Sequence, residues 1–322
     1  MIDQTQQILS LLRERSSFLV VTHEDPDSDA IGSTLALTLA LRQMGKRAVA
    51  YDQNVLPKYL TWLPGADEIT RAAEPRSFEV VCVLDCGALE RVGRLTPEIT
   101  EHPRVINIDH HLTNKGFGTF NLVLPYSSTA EILFELLENL DLPLTAAVAT
   151  NLYLGIYTDT MMFQNASTSS SALHACGALV EAGADFMTIA RRVYIETTAP
   201  RLLLLSRVLS SLQIDAEGRI AGIVCTADDL HALGLGPDDL ETFVEYPRSI
   251  IGVQAAYMLR EDDAQGLIKG SLRSNENFDV SEVAVTFGGG GHKRAAGFKV
   301  QGTLRQIRSR LVEALRLLLE KN

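Results

Sequence analysis

Val105-Ile106-Asn107-Ile108-Asp109-His110-His111 decides how the rest of the chain is read. Its β-branched front half reads as a strand buried on both faces, and that strand delivers an acid and two imidazoles to its C-terminal end. In open α/β sheets ligands collect where such strands stop, so Asp109, His110 and His111 stand where chemistry is usually done. A single histidine after a strand is more often a hydrogen-bonded structural residue than a ligand. The pattern gains force because other strand and helix ends in the chain carry matching groups.

Working outward, Phe18-Leu19-Val20-Val21 reads as the first buried strand and ends at Thr22-His23. Glu24-Asp25-Pro26-Asp27-Ser28-Asp29 follows, a turn of helix-averse residues before the helical run from Ala30 to Leu37. One acid at a helix start is ordinary, but this loop holds more acids beside a histidine than capping requires. Val80-Val81-Cys82-Val83-Leu84 is another buried strand, and its exit is Asp85; because desolvating a carboxylate is costly, Asp85 calls for a partner such as a cation. A helix over about Thr145 to Ile156 leads to Asp159. By contrast, Ser128-Thr129-Ala130-Glu131 has capping-box spacing, and there the structural reading suffices.

Six of these groups, His23, Asp27, Asp29, Asp85, His110 and Asp159, form a set of four carboxylates and two imidazoles with no cysteine. Such donors suit a hard to borderline divalent ion such as Mn²⁺ better than a structural zinc. Six are too many for one ion with open positions. Two ions roughly 3.5–4 Å apart, sharing one carboxylate, would use them all and still admit water and substrate, which points to metal-assisted hydrolysis at phosphorus.

Length and composition set the frame. At 322 residues with 46% hydrophobic residues the chain predicts about two domains with packed cores. A formal charge of −11 argues against sequence-independent binding of long duplex nucleic acid, which needs a basic face. The four cysteines, 82, 86, 176 and 225, read as reduced, buried thiols. A polar N-terminus and the lack of any apolar run near ~18 residues predict a cytoplasmic protein without a signal peptide or membrane span.

The stretch from Phe186 to about Leu212 predicts one helix, with Pro200 as its only break, linking a first domain over 1–185 to a second over 213–322. In the second, Phe287-Gly288-Gly289-Gly290-Gly291-His292-Lys293-Arg294 places a glycine run beside positive residues. Such a run lets backbone approach a ligand closely and turn N–H groups toward an anion. With Arg273 at another strand end, it predicts a small basic site for a short anionic ligand.

The joint set of Thr22-His23 through Asp27-Ser28-Asp29, Leu84-Asp85, Asp109-His110-His111, Thr158-Asp159-Thr160 and Phe287 to His292 resembles the DHH phosphoesterase family with its DHH-associated C-terminal domain. Within it, the two-domain length is most similar to the NanoRNase/pAp phosphatase type. The resemblance implies an α/β fold: an N-terminal, mostly parallel sheet with helices on both faces, a linker helix, and a smaller C-terminal α/β domain with a mixed sheet. It also implies hydrolysis of short RNA oligonucleotides and of 3′-phosphoadenosine 5′-phosphate (pAp), usually with two Mn²⁺, Co²⁺ or Mg²⁺ being alternatives. Short single-stranded RNA or DNA and pAp-like nucleotides are the implied partners, and a homodimer remains open.

Carried over residue by residue, the resemblance implies that His23 and Asp27 hold one metal, that Asp29, His110 and Asp159 hold the other, and that Asp85 bridges them. Asp109 becomes an orienter of the ligand histidine, His111 contacts the scissile phosphate, and Arg273 with Gly289, Gly290, Gly291 and His292 holds the rest of the nucleotide. Ser28 and Met161-Met162-Phe163 depart from the family pattern, which commonly has glycine at the first position and glycine with a basic residue at the second. A cyclic or linear dinucleotide phosphodiesterase, and a non-catalytic nucleotide-binding regulator, are the alternative readings. A manganese pyrophosphatase shares the first-domain motifs but is disfavoured by the glycine run ending in His292.

Overall fold

A computed structural model of the protein describes residues 4–240, 242–262, 266–275 and 278–321. The chain divides into two compact units, Met1–Glu196 and Thr197–Asn322.

In the first unit, α1 (Gln4–Glu14), β1 (Ser17–Val21), α2 (Ser28–Gln43), β2 (Arg47–Tyr51), β3 (Val80–Leu84), α3 (Thr96–Thr100), β4 (Val105–Asp109) and β5 (Phe120–Val123) are followed by four helices. These are α4 (Thr129–Glu138), α5 (Ala146–Asp159), α6 (Ser170–Glu181) and α7 (Phe186–Ala190). All five strands are parallel, in the order β2-β1-β3-β4-β5. Every residue of β3 and β4 is buried, which is why both read as unbroken apolar runs rather than alternating ones. Phe18 and Val20 face the larger core, shared with α1, α2, α4, α5 and α6. Leu19 and Val21 face a smaller one closed by Val92, Leu95 and Ile99.

The order of strands sets the position of the site. From β1 the chain moves to β2 on one side, then returns to β3 on the other. The connections therefore part above β1 and β3 and leave a crevice at the carboxyl ends of those strands. His23 follows β1, Asp85 follows β3, and Asp109 ends β4, so the sequence order of the motifs becomes a spatial cluster.

Two helices complete the crevice by packing unusually close. A Cβ on Gly32 of α2 would lie 2.5 Å from the Asn151 carbonyl oxygen of α5, and one on Gly155 of α5 would collide with Asp29 Oδ1 and with Ala130 Cβ. Bare backbone at both positions lets the N-terminus of α2 approach the C-terminal half of α5. Asp29 and Asp159 can meet only because of that approach.

The second unit contains α8 (Ala199–Ser210), β6 (Gln213–Asp215), β7 (Ile220–Cys225), α9 (Ala227–His231), α10 (Glu245–Arg248), β8 (Ala255–Asp262) and β9 (Leu267–Ser274). It ends with α11 (Val280–Thr286), β10 (Gly290–His292), β11 (Ala295–Gln301) and α12 (Leu304–Lys321). Its sheet runs β10-β11-β9-β8-β7-β6 and is mixed: β7 and β8 are parallel and the other pairs antiparallel. Ile307, Leu311 and Leu315 of α12 fill the core on one face, and Leu204 and Val208 of α8 pack with Ile223 and Cys225 on the other.

The single helix expected from Phe186 to Leu212 is not formed. The helical path leaves α7 through a π-turn at Arg191–Ile195, becomes extended at Glu196, and restarts as α8. Thr198 caps α8 by accepting from the Arg201 N–H, and Pro200 sits in its first turn, where a missing N–H costs nothing. The proline starts a helix instead of breaking one. Among the described residues no helix is long and apolar enough to cross a membrane, and all four cysteines are free and buried.

Replacing Gly155 with Ala is expected to destabilise the protein by about 1–3 kcal/mol, the range for an overpacked core, and to weaken divalent-metal binding by displacing Asp29. Urea unfolding and metal titration of G155A check both effects; a variant matching the wild type in both would show that the helices can separate freely.

Candidate metal centre

The acidic loop after β1 becomes ordered because α2 needs a cap. Asp27 is the N-cap and accepts from the Ala30 N–H at 3.0 Å. Asp29 then falls in the first turn of α2, fully buried, and does not face its own helix end. Its Oδ2 accepts from the Thr129 N–H (2.7 Å), and its Oδ1 from the Ala130 N–H (3.0 Å) and the Ser33 hydroxyl (3.2 Å). The N-terminus of α4 is thus turned onto Asp29. A carboxylate offers about four lone-pair positions; three are taken, which leaves one on Oδ2.

Asp85 stands between two imidazoles. Its Oδ2 is 3.9 Å from His23 Nε2, and its Oδ1 is 3.4 Å from His110 Nε2. His110 Nε2 is also 3.3 Å from Asp159 Oδ2. In both rings the other nitrogen faces a carbonyl: His23 Nδ1 lies 2.8 Å from the Glu24 oxygen and His110 Nδ1 lies 3.4 Å from that of Tyr126. A carbonyl fixes the proton on Nδ1 and leaves the Nε2 lone pair for a ligand. Asp85 itself has φ of 53°, a left-handed conformation that aspartate tolerates better than most residues, and the Thr129 hydroxyl donates to its Oδ1 at 3.0 Å.

Donor atoms in three overlapping sets, His23-Asp27-Asp85, Asp29-His110-Asp159 and Asp85-His110-His111, come within 4.8 Å of one another. All six residues singled out as a ligand set are present in these groups. The carboxylates also fit a cation electrostatically. Burial, and then repulsion from neighbouring aspartates, raises Asp85 and Asp159 well above the usual carboxylate range. Burial and the nearby Asp27 push Asp29 up to about 7, against the pull of the α4 N–H groups. Burial lowers His23 and His110, so both imidazoles are neutral donors.

Asp109 does something other than expected. Its Oδ1 accepts from the Nδ1–H of His111 at 2.7 Å and from the backbone N–H groups of His110 and His111, while Asn114 Nδ2 donates to its Oδ2 at 2.7 Å. It therefore orients the ring of His111, not that of His110, whose side chain leaves β4 toward Tyr126 instead. The hydrogen bond to Asp109 raises the pKa of His111, while those to His111 and Asn114 hold Asp109 below its ordinary range.

In the second unit, Arg273 is held by Glu245 Oε1 (3.2 Å) and by the Leu272 carbonyl (3.0 Å), and Glu245 also pairs with Arg248. Part of the glycine run is committed to backbone pairing. Gly288 and Gly289 donate their N–H groups to the C-terminal carbonyls of α11, those of Val285 and Ala284, and Gly290–His292 forms the edge strand β10. A Cβ on Gly291 would lie 2.6 Å from the Ala295 oxygen, so the glycines serve a close strand pairing. The register aligns His292 with Ala295 and Ala295 with Arg273, which puts the two basic residues two strands apart on one row of the sheet.

Sequence reasoning missed several contributors. Thr129 looked like capping alone, yet its amide and hydroxyl hold two of the buried aspartates. Ser33, Asn114 and Arg91 carry no motif; only the fold brings them to the cluster.

The chain also matches known proteins. The DHH family, N-terminal domain, matches residues 17–156, and the DHHA1 domain matches residues 222–321. The chain is 33% identical to the bifunctional oligoribonuclease and PAP phosphatase NrnA of Thermus thermophilus, covering 92% of this chain and 88% of that protein. It is 27% identical to a probable bifunctional oligoribonuclease and PAP phosphatase NrnA of Streptococcus mutans, over 90% and 91%. The crystal structure of an exopolyphosphatase-related protein from Bacteroides fragilis matches with a TM-score of 0.88 and 30% identity, covering 99% of this chain and 96% of that one.

A carboxylate with a raised pKa carries a proton until the pH exceeds that value, and a divalent ion must displace it. Loading with Mn²⁺ at pH 6 is therefore expected to release protons, with the share from Asp29 fading as the pH rises past about 7. Calorimetry in buffers of different ionisation enthalpy measures this; heats independent of buffer at pH 6 would show that the cluster is already ionised.

Proposed function

The chain belongs to the DHH family, with a DHHA1 domain toward its C-terminal end, and from that membership we propose that it is a divalent-metal-dependent phosphoesterase acting on short RNA oligonucleotides and on pAp, releasing AMP and phosphate from the latter. The observation that carries the reading is the Asp85 carboxylate placed between His23 Nε2 and His110 Nε2. One carboxylate with a separate imidazole at each oxygen is the arrangement that two ions sharing a ligand require. The similarity to NrnA supports the choice of substrates.

In this reading His23 and Asp27 hold one ion, Asp29, His110 and Asp159 the other, and Asp85 both. The all-oxygen and imidazole donor set favours Mn²⁺, with Co²⁺ or Mg²⁺ able to substitute. When bound, the ions supply Lewis-acid stabilisation of phosphoryl charge and lower the pKa of an attacking water. The chain's own groups do the rest. The single free lone pair of Asp29 makes it a monodentate ligand held stiffly by α4. Asp109 accepts from Nδ1–H of His111 and favours the charged form of that ring, whose Nε2–H can then donate to the phosphoryl oxygens as their charge builds. We assign catalysis to the first unit, Met1–Glu196, and substrate binding to the second, Thr197–Asn322, since the expected 186–212 linker packs into both cores, Ile189 into the first and Leu204 and Val208 into the second. In the second unit Arg273, Gly289, Gly290, Gly291 and His292 supply charge and close backbone suited to a short anionic ligand.

Purified protein in Mn²⁺, offered pAp and a short ribo-oligonucleotide together, is expected to release AMP and RNA mononucleotides, and a chelator to abolish both. Asp85→Ala should remove most activity with an unchanged circular dichroism spectrum, and His111→Ala should lower kcat by roughly 10²–10³-fold, the usual effect of losing one charge-stabilising donor. A folded, metal-loaded protein that consumes neither substrate would overturn the assignment.

A further inference from the structure

We propose that Arg91 is a phosphate-binding residue of this same centre, its guanidinium taking non-bridging oxygens of the substrate phosphate beside His111. The proposal rests on the phosphoesterase reading above and adds a residue that none of its motifs contains.

Arg91 belongs to the turn between β3 and α3, and that turn is tied to the loop bearing the first imidazole: the Glu24 N–H donates to the Arg91 carbonyl at 2.7 Å. The side chain is exposed, and its NH2 group lies 3.2 Å from His23 Nδ1. That nitrogen already points its proton at the Glu24 carbonyl. A guanidinium has donors only, and two donors facing each other form no hydrogen bond. Arg91 is thus brought to the centre by its backbone while its side-chain donors stay uncommitted. Among the described residues it makes no ion pair, unlike Arg42, Arg76 and Arg273, whose guanidinium groups each meet a carboxylate.

The His23 ring beside Arg91 faces Asp85 through Nε2 at 3.9 Å, and the other oxygen of Asp85 lies 3.6 Å from His111 Nδ1, so the arginine adjoins the same small cluster that holds the ring assigned to the phosphate. A protein of net charge −11 repels phosphate over most of its surface, and five aspartates surround the centre. A cation at the rim with donors to spare supplies the local attraction, and the planar fork of arginine matches the oxygens of a phosphate.

A purely structural Arg91 would act by keeping His23 neutral for the metal. The two roles separate when Mn²⁺ affinity and phosphate affinity are measured apart. Calorimetry on full-length wild type, R91A and R91K is expected to give Mn²⁺ affinities within about twofold of one another. Inorganic phosphate should bind Mn²⁺-loaded R91A at least tenfold more weakly than wild type, R91K falling between. In turnover, R91A should lose roughly 10²-fold in kcat/KM, with partial recovery on adding guanidinium ion. Equal phosphate affinity in wild type and R91A overturns the proposal, as does a loss of phosphate binding that only parallels a loss of Mn²⁺. If wild type turns over neither pAp nor short RNA, the functional reading fails, while the phosphate titration still decides the role of Arg91.

Discussion

The structure depends on holding like charges together out of water. Asp29, Asp85, Asp109 and Asp159 converge within one crevice, the first three almost wholly buried, and each raises the free energy of its neighbours. An isolated carboxylate in such a place would take up a proton. The fold opposes this at three of them with partial positive charge that is fixed in direction: the α4 N-terminus on Asp29, a hydroxyl on Asp85, the Asn114 amide and the His111 ring N–H on Asp109. These donors do not neutralise the set. The repulsion that remains is what makes a divalent cation the natural complement of the site.

That arrangement requires a rigid frame, which the parallel sheet and the α2–α5 contact provide. Strand ends place His23, Asp85 and Asp109 in register, because β1, β3 and β4 are adjacent and parallel. Asp29 and Asp159 come from helices, and their positions depend on Gly32 and Gly155 removing side chains from the contact. One unit therefore uses two kinds of precision, hydrogen-bond register for the strand-borne groups and close packing for the helix-borne ones.

How much of this was legible in the sequence follows from the kind of interaction involved. Buried parallel strands leave unbroken apolar runs, so β1, β3 and β4 and the groups at their exits could be read directly. The six-residue donor set followed from those exits together with the acids at the start of α2 and the end of α5. Thr129 and Arg91 could not be read, because their roles depend on which elements lie beside them rather than on local pattern. The glycine run reads two ways: absent side chains suit both a close approach of backbone to an anion and a tight edge strand, and only the fold shows the pairing of β10 with β11. Pro200 misled for a related reason, since the same residue stops a helix from inside and starts one from its first turn.

The departures at Ser28 and at Met161-Met162-Phe163 are unequal in cost. Ser28 opens α2 and is buried without strain, so a side chain in place of hydrogen is accommodated. Met161, Met162 and Phe163 all have φ between 48° and 63°, a left-handed run that costs roughly 1–2 kcal/mol per residue for amino acids other than glycine. Compensation is visible in the same turn. Met161 and Met162 donate to the Thr158 and Tyr157 carbonyls, Phe163 donates to the Thr160 hydroxyl, and its ring packs edge-on against Tyr157. Asn165 then donates to the Asp159 carbonyl at 2.8 Å. The strained turn ends α5 immediately beyond Asp159 and clamps the residue that must face His110. Strain here is spent on the position of a metal-facing carboxylate, and it leaves Met161 exposed just beyond that residue.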